Sequence, residues 1–184
     1  MLPCPYCDVG GLQLEPIGGH VNSHGKSSAF VRAYLAVATV LGSAFAPVLA
    51  HADIDNGSDL LNQINATRAA NGCGPVAPNP ELTASATRHA TDMLHNGVRE
   101  HVGSDGSTVV QRATDAGYTP YAAIGEVVFW STGYGNDPAN AVNWWMNSPG
   151  HRAIITNCSL TEAGFSEVSS GDRTTAAGDF GTKR

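Results

Sequence analysis

Positive charge is scarce in this chain: ten Lys and Arg stand against sixteen Asp and Glu, for a net charge of −6, and no basic run occurs. A protein that neutralises backbone phosphates needs clustered Lys and Arg, so DNA and RNA are excluded as partners. Charged residues make up only 14% of the chain and hydrophobic ones 42%, which over 184 residues closes one core and not two large ones. Long apolar runs are also missing. The stretch from Ala33 to Leu49 is shorter than the roughly 20 residues that span a bilayer, and Gly42 and Pro47 break it, so a permanent membrane anchor is not expected. The G-x-S-x-G elbow of α/β-hydrolases is absent, as are internal repeats and low-complexity blocks.

What that short apolar stretch does fit is export. Lys26 and Arg32 lead into it, and Ala50-His51-Ala52 supplies a small-x-small step before Asp53, the layout of a secretory signal peptide cleaved after Ala52. We therefore divide the chain into residues 1–30, a polar, Gly-rich lead or gene-model extension; 31–52, the signal peptide; and 53–184, one domain that is secreted and either released or associated with the cell envelope. Four cysteines divide the same way. Cys4 and Cys7 spell C-P-Y-C, but a redox motif of that kind follows a strand and opens a helix, and only three residues precede it here. Cys73 and Cys158 remain in the exported domain and are expected to form one disulfide, worth about 4 to 5 kcal/mol on the chain-entropy model.

Within the domain, helical spacing is plain over 58–71, with Leu60, Leu61 and Ile64 inward, Ser58 or Asp59 as cap, and Gly72 as stop. A second helix opens on Asn79-Pro80 and runs to Gly97, with Leu82, Ala86, His89 or Ala90 and Met93 on one face. A short helix capped by Ser107 follows, and another opens on Asp137-Pro138, ends at Pro149-Gly150 and carries Trp145 into the core, with Trp144 towards a groove. "AAIGEVVFWSTG" reads as strand or buried turn, and the tail as two strands around a Ser-Ser-Gly-Asp turn. Helices first and strands mostly last imply an α+β layered fold.

Three polar residues sit beside glycine at helix ends or in connections, where side chains can reach a cleft: His101, Glu126 and His151. Two imidazoles and a carboxylate suit a divalent cation if they converge. Plainer roles are open too: Glu126 could accept backbone N–H bonds in a buried turn, and His151 could donate to helix-end carbonyls. His89 and Asp92, three apart on one helix, read as a surface ion pair.

The ordered elements "LNQINATRAANG", "LTASATRHATDML", His101 before "SDGS", Gly125-Glu126, "WMNSPGHR" and "TEAGF" resemble the CAP superfamily, or SCP domain, in its bacterial secreted branch. The resemblance covers residues 58–183 and implies an α-β-α sandwich, a small antiparallel sheet between helical layers. It implies an extracellular, non-enzymatic binding module, monomeric, whose partners are lipids, sterols, glycans or proteins. His101, Glu126 and His151 match the family's cleft residues and would be the ligands of an optional cation such as Zn2+ or Mg2+. Val127 stands where the family has Asn, and Ser148 where many members have a second acidic residue, which lowers the affinity expected for metal. Ser148 and Trp144 would line the same cleft. Two alternatives remain open: a hydrolase with Ser148 as nucleophile, His101 or His151 as base and Glu126 orienting the imidazole, and a purely structural surface protein held by Cys73 and Cys158.

Overall fold

Proline and short polar side chains punctuate the helices. In the computed structural model, which describes residues 56–133 and 137–184, the elements are α1 (Gly57–Ala70), β1 (Ala77–Pro78), α2 (Pro80–Asn96), α3 (Val109–Asp115), β2 (Tyr121–Thr132), α4 (Pro138–Met146), α5 (Pro149–Ile155), β3 (Glu162–Ser170) and β4 (Arg173–Lys183). The expected lead, the signal peptide and the Cys4/Cys7 pair lie outside the described residues. Asn79 caps α2 through bonds from the Glu81 and Leu82 amides, with Pro80 at the first position, and Gly97 closes it in the left-handed conformation. Asp137 and Pro138 open α4 the same way.

Three boundaries differ from the sequence reading. The cap position of α1 is Asn56, which also donates to Glu167, and not Ser58 or Asp59. Thr108 rather than Ser107 caps α3, because Gln111 returns a bond to its backbone and completes a capping box. Pro149 does not end α4, which stops at Met146, but starts α5, so His151 belongs to the first turn of a new helix.

The four strands lie in the order β1-β3-β4-β2, antiparallel except for the two-residue parallel pairing of β1 with β3. Period-2 alternation sends β-strand side chains to opposite layers. Val127, Phe129, Phe165 and Phe180 face Leu60, Ile64, Trp145 and Ile155 of α1, α4 and α5. On the other face Val168 and Ala177 meet Ala86, Ala90 and Leu94 of α2, while Ile124 meets Ala113 of α3 and Tyr118. This is the α-β-α sandwich that the resemblance implies, and the α+β layering that the order of helices and strands implies. Gly164 lets α2 approach the sheet so closely that an added Cβ would lie 2.0 Å from the Thr83 amide.

Cys73 and Cys158 form the disulfide, their Cα atoms 5.0 Å apart. Beside it the buried Arg68 guanidinium donates to four backbone carbonyls, those of Gly74, Ile155, Asn157 and Leu160. The fastening joins the end of α1 to the segment that follows α5.

Candidate functional site

β2 is the last strand of the sheet, so its open edge is where residues from both helical layers can meet. From this strand Glu126 points towards α2, opposite Asp179 of β4. Its side chain is 1% exposed, and its two oxygens are divided: Oε1 accepts from His101 Nδ1 at 2.8 Å, and Oε2 from Arg112 Nη2. Burial pushes the Glu126 pKa up, but the His101 bond, with His89 and Arg112 beside it, more than offsets this and holds the group below the usual carboxylate range. Asp179 goes the other way. Burial, then the charge of Glu126, raises its pKa well above normal, so of this carboxyl pair Asp179 is the one that holds a proton more readily.

His101 sits on the loop between α2 and α3, and the protein grips that loop on both sides of it. His89 Nε2 donates to the Glu100 carbonyl at 2.9 Å and Arg112 Nη2 to the His101 carbonyl at 3.1 Å. With Nδ1 donating to Glu126, the lone pair of His101 is on Nε2, an atom that is buried and makes no hydrogen bond.

His151 reaches the same place from α5. Its ring is 5.6 Å from that of His101 and 5.3 Å from that of the half-buried Trp144, centroid to centroid, and Trp130 lies 5.6 Å beyond Trp144. Both ring nitrogens of His151 lack a hydrogen-bond partner, so the helix-end carbonyl role is not the one it plays. Burial, with the nearby His101 charge adding to it, pushes its pKa down to about 4, which keeps the ring neutral at physiological pH.

The structure thus brings together His101, Glu126 and His151, with Trp144 alongside. Ser148 is the half-buried residue preceding α5, and neither His101 nor His151 is hydrogen-bonded to it. Glu126 accepts from side chains, not from the backbone amides of a turn. The His89–Asp92 surface pair is not formed: His89 is fully buried beneath Glu126, and Asp92 accepts from Ser104 and Asn96 instead. Among the described residues, no three His, Cys, Asp or Glu side chains are gathered as ligands for one metal ion. The imidazoles of His101 and His151 nonetheless carry unpaired buried nitrogens, which suits a nitrogen-preferring cation at two positions of its shell.

Residues 61–180 match the family model described as CAP, the cysteine-rich secretory protein family. The chain belongs to the CAP family. Among solved structures, this CAP domain is similar to an outer surface protein of Borrelia burgdorferi, with a TM-score of 0.63 and 20% identity over 72% of this chain and 98% of the other. An extracellular protein containing a SCP domain from Bacillus anthracis gives 0.59 and 21%, over 70% of this chain. A cysteine-rich secretory protein from Staphylococcus aureus gives 0.51 and 21%, over 69%. The CAP domain spans 40% and 39% of those last two chains. A comparison with curated protein sequences gives no match.

Arg112, His89 and Asp179 carry the electrostatics of this CAP site, and the sequence reading assigned none of them a site role. A signal existed for two: Arg112 shares the inward face of α3 with Val109 and Ala113, and His89 continues the apolar stripe of Leu82, Ala86 and Met93. A polar residue inside an apolar stripe announces a buried partner.

Proposed function

We propose that this is a secreted, non-enzymatic CAP binding module whose cleft at the β2 edge takes a ligand through the imidazoles of His101 and His151. The observation that carries the reading is the pair of neighbouring rings, His151 buried and His101 half-buried, with no hydrogen bond to His101 Nε2 or to either nitrogen of His151. Glu126 acts by holding the His101 tautomer, as carboxylates behind metal-binding histidines do. With both Glu126 oxygens engaged and Ser148 in place of an acidic residue, a cation here would be held by nitrogen, which favours Zn2+ over the oxygen-seeking Mg2+. Trp144 would supply an apolar wall for an organic ligand, a lipid or sterol among them. The hydrolase alternative needs Ser148 bonded to its base, and that bond is not made.

The test is thermal unfolding with and without Zn2+. At a hundredfold excess over Kd, the wild-type chain should gain about 2.7 kcal/mol, and the double variant His101→Ala/His151→Ala should gain nothing. A Zn2+ effect that survives in the double variant would remove the two histidines from the assignment.

A further inference from the structure

A groove of about 60 Å³ opens where the end of α2 meets the ends of β2 and β4, and none of His101, Glu126 and His151 lines it. Thr175 of β4 donates to the Ala90 carbonyl of α2, so alternate residues of β4 and their partners on β2 turn the same way: Thr175 with Trp130, and Arg173 with Thr132. Gly97 closes α2, and Arg99 lines the groove from the segment that follows. A half-buried indole and two guanidiniums from distant parts of the chain therefore share one small groove.

Both guanidiniums belong to exposed residues, and among the described residues neither has a hydrogen bond or an ion pair. By contrast, Arg68, Arg88, Arg112 and Lys183 are committed to carbonyls or carboxylates. No Asp or Glu among the described residues lines the groove, although the chain carries sixteen. The end of α2 contributes a partial negative charge of about half a unit, which the two full positive charges outweigh. An oxyanion answers such a pair, and a carboxylate matches the planar fork of a guanidinium bond for bond. At about 30 Å³ per water molecule, a groove of about 60 Å³ seats a carboxylate but does not enclose an alkyl chain. The apolar surface beside the charges is the flat ring of Trp130, which suits another ring. We propose that this groove binds a small aromatic carboxylate, with its anionic head between Arg99 and Arg173 and its ring against Trp130. The inference does not rest on the reading of the imidazole cleft, since it uses different residues and a different class of ligand.

The experiment is titration of the full chain with phenylacetate, followed by NMR of the Trp130 indole N–H and the Arg99 and Arg173 Nε–H groups. Benzyl alcohol, acetate and decanoate serve as comparison ligands. Phenylacetate should give saturable shifts at all three residues, and its binding should weaken as salt is added. The variant Arg99→Gln/Arg173→Gln removes both charges from exposed positions and strands no partner. Its urea midpoint should match the wild type, and its affinity for phenylacetate should fall at least about tenfold. Benzyl alcohol should bind more weakly for want of charge, and acetate for want of a ring. The proposal is overturned if phenylacetate gives no saturable shift, or if the double variant binds it as tightly as the wild type. It is equally overturned if benzyl alcohol or acetate binds as well as phenylacetate, or if decanoate binds more tightly, which would make the occupant an alkyl chain.

Discussion

Replacing His151 with Phe should make the protein less sensitive to acid. The native pKa of His151 lies near 4, against 6.5 for the unperturbed side chain, because burial disfavours the imidazolium and His101 adds repulsion. The folded state therefore prefers the neutral ring, while the unfolded state takes up a proton as soon as pH drops below 6.5. Above that value the group contributes no pH dependence; between 6.5 and 4 stability falls as pH falls; below 4 the loss levels off. One proton costs about 1.36 kcal/mol per pH unit, so between pH 7 and pH 5 the wild-type chain should lose about 2 kcal/mol through this residue alone. His89, also buried and with a lowered pKa, adds an acid-dependent loss common to both proteins. Phe keeps a ring against Trp144 and removes the titration. Urea unfolding at pH 7 and pH 5 in EDTA gives the two differences directly, and a variant that loses as much stability as the wild type would refute the reasoning.

Two other substitutions probe the same architecture. Glu126→Gln keeps both histidines but weakens the control of the His101 tautomer; Zn2+ affinity measured by calorimetry should fall about 10- to 100-fold, and an unchanged affinity would deny Glu126 its orienting role. Gly164→Ala forces a methyl group against the Thr83 backbone. Overpacking of that kind costs about 1 to 3 kcal/mol, and an unaltered urea midpoint would show that α2 can lift from the sheet.

The helices of this domain were legible because their starts and stops are chemical. Asn79-Pro80, Asp137-Pro138 and Gly97 act locally, and no distant contact is needed to interpret them. Where two candidates stood side by side, as at Ser107 and Thr108, the choice lay with the returning Gln111 bond. β2 stayed ambiguous because it is buried on both faces from Ile124 to Phe129 and so shows no polar alternation. β1 is two residues long and exists through its pairing with β3. In the site, His101, Glu126 and His151 stood out as polar residues next to glycine. Asp179 did not, because its significance comes from its place opposite Glu126 on the neighbouring strand.

The joint beside the disulfide is fastened by two chemistries with different vulnerabilities. A reductant can open the bond between Cys73 and Cys158, but it leaves untouched the Arg68 guanidinium and its four carbonyls, which stay matched at any pH the protein meets. Arg68 therefore bridges the same two segments as the disulfide, through bonds that do not depend on the oxidation state of sulfur.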